Sequence, residues 1–325
     1  MPVEQIRGRV ELKPAATHVI LTSAQAFGAH WSGTLDHDLA DGWQFALAAD
    51  ALSASNLDQW LNPRWRQSFL DRMLPFLNSR APVNASPEGV RARGWLAVDE
   101  FTFAPLVVRR LRGNLSLDGR HWEFSNAEGQ FQDGEVAGSL VTELEGAPTY
   151  EVDLDFSGVD VHSLAAQFPS LANVFAGSAS AKVSFDAHGA NRSDLLASFE
   201  CRGTAGVSGA SIKGISLPES ASAASTEPEI TAFRHASAAF TCGEGKVQFQ
   251  DLLLRGAASD WDGVGSVDYS RNLDLRLHLI SSGSDGPRIA KTGGPADDEY
   301  RITGTLRSPQ IQKIAAPVRT AETKH

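Results

Sequence analysis

The chain has 325 residues, of which 42% are apolar, and its 39 acidic and 29 basic side chains give a formal net charge of −10. The apolar share is large enough to bury a core, which argues against global disorder. The acidic balance argues against a dedicated nucleic-acid binder, so we expect no nucleic-acid partner.

Runs in which apolar and polar residues alternate predict strands through most of the chain. Clear examples lie at residues 43–47, 152–156, 179–187 and 273–279. A period of two with one apolar face is typical of half-buried antiparallel strands. The dipeptides at 118–119 and 133–134 are both Asp-Gly and predict hairpin turns. The fold class predicted is mainly β: an elongated antiparallel sheet of repeated β-groove units with a few short α-helices.

Helical spacing is confined to three segments. They lie at residues 56–78, at 161–174 with an interruption at Pro169, and at 193–198. The predicted organisation is an N-terminal β-rich repeat region at 1–150 with the longer helix near 56–78, a β domain at 151–314, and a disordered tail at 315–325. Residues 218–229 and 281–299 have the composition of exposed loops.

The order strand, turn, strand and helix recurs along the chain. Residues 33–35 lead to the strand at 43–47 and then to a helix that carries Leu57. Residues 138–140 lead in the same way to the strand at 152–156 and to Leu164, and a third copy without a helix starts at Gly265. Repetition of one such unit suggests stacked modules that bury a shared face.

Patterns that indicate catalysis are missing from the sequence. The carboxylate pairs, each separated by one residue, favour solvated strand faces over the paired acids of a glycosidase; they are Asp36/Asp38, Asp153/Asp155 and Asp260/Asp262. There is no His-x-x-x-His or Cys/His cluster, no phosphate-binding loop and no nucleophile elbow. We therefore expect no enzyme activity, no catalytic residue, no metal and no cofactor. A hydrolase triad of scattered Ser, His and Asp stays open, but nothing favours it.

The two cysteines share the apolar phase of their segments. Cys201 and Cys242 each follow a phenylalanine by two residues, Phe199 and Phe240. We interpret them as buried free thiols. The alternative is a disulfide, if their strands pair in register in an oxidising compartment.

Several motifs in the second half occur in an order that resembles a known family. The strand at 177–189 is followed by Ser-Asp-Leu-Leu-Ala-Ser-Phe at 193–199 and Ile-Lys-Gly-Ile-Ser-Leu at 212–217. Gly-Val-Gly-Ser-Val-Asp follows at 263–268, and Gly-Thr-Leu-Arg-Ser-Pro closes the series at 304–309. Over about residues 152–314 the chain resembles the C-terminal domain of AsmA-like proteins.

The resemblance implies a bacterial cell-envelope protein related to TamB and other bridge-like lipid transfer proteins. Such a protein has a groove lined by apolar residues, and its expected partners are phospholipid or another acyl lipid and envelope membrane proteins. Its expected role is outer-membrane assembly or phospholipid transport. The family pattern also implies a periplasmic protein anchored to the inner membrane by an N-terminal helix. Because residues 1–13 contain no such helix, we expect either a fragment that lacks its anchor or a soluble relative.

Five residues are candidates for the groove because they share the apolar register of two strands. They are Val183, Phe185, Leu273, Leu275 and Leu277. We predict that they line one continuous apolar surface able to hold acyl chains. A closed core uses the same alternation, so a structural or adhesin-like β-repeat protein without a lipid ligand is the alternative. A carbohydrate-active β-sandwich is a third interpretation, for which aromatic platforms would be expected.

Overall fold

The computed structural model describes residues 3–38, 41–61, 91–144, 147–169, 171–189, 192–214, 230–257, 259–280, 299–306 and 308–314. These residues contain 17 strands, mostly antiparallel, and three short helices, which confirms the mainly β, antiparallel prediction. The chain divides into two units. Unit 1 comprises Met1–Val159 and Lys182–Cys201, and unit 2 comprises Asp160–Ala181 and Arg202–His325.

Nine consecutive strands build the first part of unit 1. They are β1 (Glu4–Leu12), β2 (Ala16–Ala26), β3 (Ala29–Asp38), β4 (Gly42–Ser53), β5 (Arg91–Phe103), β6 (Leu106–Asp118), β7 (His121–Phe131), β8 (Gly134–Glu143) and β9 (Thr149–Asp160). Each strand pairs with the next one in the chain, and every one of these pairs is antiparallel except β4–β5, which is parallel.

A helix follows β4, where the chain begins its return to the parallel strand β5. Helix α1 (Ala54–Leu61) contacts both strands. The Asn56 side-chain amide donates a hydrogen bond to the Phe27 carbonyl oxygen at 3.2 Å and so fastens α1 to the β2–β3 turn. The predicted helix at 56–78 is therefore present in its first part, and the remainder lies outside the described residues.

Two segments of the predicted repeat have the same order of elements in the structure. The hairpin β3–β4 is followed by α1, and the hairpin β8–β9 is followed by α2 (Val161–Ala166). Helix α2 ends before Pro169, earlier than the predicted end at residue 174, and turns follow it. Asp160 begins it, because its carboxylate accepts hydrogen bonds from the backbone N–H groups of His162 and Ser163.

The strands of the second half are β10 (Phe175–His188), β11 (Glu200–Lys213), β12 (Ile230–Gly243), β13 (Lys246–Arg255), β14 (Asp260–Asp268), β15 (Asn272–Ile280), β16 (Glu299–Thr305) and β17 (Ser308–Ile314). Helix α3 (Arg192–Ser198) lies between β10 and β11 and matches the helix predicted at 193–198. In unit 2 the pairs from β12–β13 through β16–β17 are antiparallel.

Some sequence predictions concern residues outside the described part of the chain. These are the tail at 315–325, the loop at 218–229 and residues 281–298 of the second predicted loop. Glu299, the last residue of that predicted loop, is the first residue of β16. Both predicted Asp-Gly turns are present between β6 and β7 and between β7 and β8.

The core of unit 2 is a cluster of buried aromatic and aliphatic side chains from the six strands β11 to β16. It consists of Ala210, Phe233, Leu254, Trp261, Leu273, Leu277, Tyr300 and Ile302. The rings of Trp261 and Tyr300 meet edge to face, with centroids 5.3 Å apart. The unit therefore has a packed centre of its own.

Candidate functional site: an apolar row in unit 1

One apolar residue from each of the nine strands β1 to β9 lies in a single line across unit 1. The residues are direct cross-strand partners, each paired with the next. This central row consists of Val10, Val19, Leu35, Phe45, Gly94, Leu115, Phe124, Leu140 and Val152. Neighbouring strands lie about 4.8 Å apart, so the row is roughly 38 Å long.

No member of the central row is fully buried. Val10 is 57% exposed, and the other eight residues are half-buried. In a sheet face that packs against a second layer, the middle of the row would hold the most buried side chains. Here the side chains of the middle keep contact with solvent, so the row is an open apolar surface.

Two glycines, Gly94 in the central row and Gly113 beside it, leave room for the aromatic rings of neighbouring strands. A Cβ atom added to Gly94 would lie 2.8 Å from Phe45 Cδ2, and one added to Gly113 would lie 2.8 Å from Phe124 Cζ. Both rings therefore lie across a neighbouring strand at a place where a side chain would displace them. The rings of Phe45 and Phe124 therefore help to make the apolar surface of the central row continuous from strand to strand.

The side of this face toward α1 is closed by a small core. Ala29, Ala49, Leu52 and Val98 are buried there, and Phe27, Trp31, Leu96, Phe101 and Leu111 pack against them. The Trp31 indole N–H donates to the Ala26 carbonyl oxygen at 2.9 Å, which fixes the ring beside the cluster. The open surface is thus bounded on one side by packed side chains.

The five predicted groove residues fall in both units. Val183 and Phe185 lie on the part of β10 that belongs to unit 1, where both are half-buried and Phe185 packs on Phe199 with ring centroids 5.8 Å apart. On that part of β10, Ser184 donates a hydrogen bond to Asp153 at 2.5 Å, and Lys182 pairs with Asp155 at 3.2 Å. The strand is therefore fastened to β9 through its polar face.

The other three candidates lie on β15 in unit 2. Leu273 is 5% exposed and Leu277 is 1% exposed, and both belong to the packed core of that unit. Leu275 is half-buried and packs against the same core. In this conformation Leu273 and Leu277 have almost no surface to offer a ligand. That all five residues line one continuous surface stays a prediction.

The polar candidates pair with neighbours on the exposed face. The carboxylate of Asp36 bonds to His18 Nδ1 at 2.5 Å, and these two side chains lie in a polar cavity of about 330 Å³ that also includes Glu11 and Gln44. Among the described residues, no group of three or more His, Cys, Asp or Glu side chains is arranged to hold a metal ion. This cavity therefore contains a hydrogen-bonded histidine–aspartate pair and no arrangement typical of catalysis.

The cysteines differ from the first interpretation. Neither is a free thiol, since Cys201 and Cys242 are both disulfide-bonded. The interpretation as two buried thiols was wrong because both share the apolar phase of their strands, where a thiol and a disulfide give the same sequence pattern. The alternative, a disulfide, is the arrangement present.

The central row was missed as a site by sequence reasoning. The alternation around Phe45 and Val152 was visible, but the partners Leu35, Leu115 and Leu140 become a row only once the strand register is known. No helix in the described part of the chain is long and apolar enough to cross a membrane. Comparisons with protein families, curated proteins and solved structures gave no match for this chain.

Proposed function

We propose that this protein is a non-enzymatic cell-envelope protein that binds or conducts lipid acyl chains. In this role it contributes to outer-membrane assembly or phospholipid transport. The observation that supports the proposal is the open central row, whose apolar residues run across nine strands without a charged side chain among them. Contiguous exposed apolar surface of this extent is typical of binding sites for apolar ligands or membranes.

The proposed binding removes the apolar groups of the acyl chain from water and involves no chemical reaction. An acyl chain gains about 0.8 kcal/mol for each CH₂ group that leaves water. The row is longer than the roughly 30 Å hydrocarbon layer of a bilayer, which two opposed acyl chains fill. The row therefore has room for more than one chain, while the charged side chains of the opposite face keep that face in water.

Two further observations favour the envelope as the location. Cys201 and Cys242 are disulfide-bonded, and disulfides persist in oxidising compartments such as the bacterial periplasm. The motifs of the second half resemble AsmA-like proteins, whose relatives act between the two membranes. A periplasmic protein that works with envelope membrane proteins fits both.

The test compares two substitutions at neighbouring positions. Phe45→Asp places a charge on the central row, whereas Ala46→Asp places the same charge on the exposed opposite face of the same strand. Binding of pyrene-labelled palmitate is measured for the wild type and both variants, together with their thermal melting. An unpaired carboxylate against an acyl chain is costly, so Phe45→Asp should weaken binding by tenfold or more, or about 1.4 kcal/mol.

We expect Ala46→Asp to bind like the wild type and both variants to melt within a few degrees of it. If the wild type binds no acyl probe, the proposal fails and the structural β-repeat interpretation takes its place. Equal binding by wild type and Phe45→Asp would show that the ligand lies elsewhere on the protein. A collapsed melting temperature for Phe45→Asp alone would show that the row is a closed core in solution.

A further inference from the structure

A second line of cross-strand partners lies two residues from the central row, on the side away from α1. This border row consists of Leu12, Thr17, His37, Trp43, Ala92, Leu117, Trp122, Thr142 and Tyr150. It lies on the same face as the central row but differs from it in chemistry. Six of its nine members can donate or accept a hydrogen bond or carry an amphipathic ring.

The aromatic members of the border row are held in place and stay accessible. His37 and Trp43 are paired across β3 and β4, with ring centroids 4.7 Å apart, and both are half-buried. The Trp122 indole N–H donates to the Gly119 carbonyl oxygen at 3.3 Å. Tryptophan and tyrosine with one apolar and one polar side are enriched where hydrocarbon meets water.

The face is therefore graded along the strands. It begins at the amphipathic border row, continues through the central row, and ends at the buried cluster beside α1. From Trp43 to Ala49 on β4 the chain advances six residues, or about 20 Å. One acyl chain occupies about half of the roughly 30 Å hydrocarbon layer, or about 15 Å, so that depth has room for its whole tail.

We propose that the ligand is an acyl amphiphile whose polar head lies at the border row and whose tail points along the strands toward the cluster beside α1. This inference rests on the proposed function, and it adds the class and the orientation of the ligand. Thr142 of the border row is buried, so the accessible members, among them His37, Trp43 and Tyr150, face the head. The packed cluster closes the far end against the methyl terminus. Several such chains lie side by side across the strands.

The chain contains tryptophans suited to report on this orientation. Trp43 lies at the border row, and Trp31 lies beside the closed cluster, six residues from His37 along β3 and so about 20 Å away. Bromine on an acyl chain quenches a tryptophan that it touches. The experiment uses two dibrominated palmitates, one with bromine near the carboxyl end and one with bromine near the methyl end.

Quenching is measured in the wild type, Trp43→Phe and Trp31→Phe, and binding is followed separately by displacement of pyrene-labelled palmitate. We expect the quenching by the carboxyl-end probe to fall in Trp43→Phe, with the remainder due to Trp122 on the same border row, and to be lost when both are replaced by Phe. The quenching by the methyl-end probe should be lost in Trp31→Phe. We also expect hexadecane, which has no head, to displace the probe at least tenfold less well than palmitate does.

The reverse quenching pattern, or equal quenching by both probes, would overturn the orientation while the proposed lipid binding stands. Displacement by hexadecane as effective as by palmitate would overturn the role of the border row. Absence of any probe binding would instead refute the proposed function itself.

Discussion

Truncating a leucine should cost far less on the central row than in the closed cluster of the same unit. Leu140 is half-buried between Phe124 and Val152, whereas Leu52 is 5% exposed within the cluster beside α1. Leu52→Ala leaves an enclosed cavity and should lower the free energy of unfolding by about 2–5 kcal/mol. Leu140→Ala removes a side chain that is only partly withdrawn from water and leaves no enclosed cavity, so we expect a loss of about 1 kcal/mol.

The assay is thermal and urea unfolding of the lipid-free protein, with both variants compared to the wild type. In a unit of this size, 1 kcal/mol corresponds to roughly 2–4 °C in Tm. Leu52→Ala should therefore lower Tm by clearly more than Leu140→Ala does. Equal losses of about 3 kcal/mol at the two positions would refute the reasoning, because they would mean that the central row is covered as completely as the cluster.

Three further predictions concern other parts of the molecule. Phe185→Asp should weaken binding of pyrene-labelled palmitate with little change in melting, whereas unchanged binding with a collapsed melting temperature would place Phe185 in a closed core. The hydrogen bond to Glu143 raises the pKa of His121. The stabilisation that this pair gives the folded state is therefore present below about pH 6.5 and is lost as the pH rises through the raised pKa. In urea titrations, His121→Asn should lower the free energy of unfolding by a measurable amount below about 1 kcal/mol at pH 5.5 and by nothing at pH 9. A difference between variant and wild type that is the same at both pH values would contradict the pairing. Reduction should free Cys201 and Cys242 for alkylation and lower the free energy of unfolding by about 2–4 kcal/mol, and two thiols titrating in the unreduced protein would contradict the disulfide.

The strands were predictable because their signal is local. The alternation at 43–47 and 152–156 gives the period of a half-buried strand without any knowledge of its partner. The parallel pair β4–β5 was not predictable, since residues 54–90 separate the two strands and their pairing depends on contacts distant in sequence. Helix α2 ends earlier than predicted because Pro169 and the turns before it disfavour a further helical turn.

The candidate site was predictable only as a type of surface. Alternation identifies a residue as apolar-facing, but exposure depends on what covers the face. Leu277 and Val152 both lie in alternating runs, yet Leu277 is 1% exposed in a packed core and Val152 is half-buried on an open row. The difference comes from Trp261 and Tyr300, which fill the space around Leu277 from neighbouring strands.

The most direct test of the central claim is to locate a bound acyl chain on the protein. Palmitate carrying a diazirine is photocrosslinked to the purified chain, and the labelled peptides are mapped by mass spectrometry. Labels should concentrate on the central row, in peptides that contain Leu35–Phe45, Leu115–Phe124 and Leu140–Val152, and should be absent from Leu273–Leu277 in the packed core of unit 2. Labels concentrated at Leu273–Leu277, or no saturable labelling at all, would contradict an acyl-binding surface on unit 1.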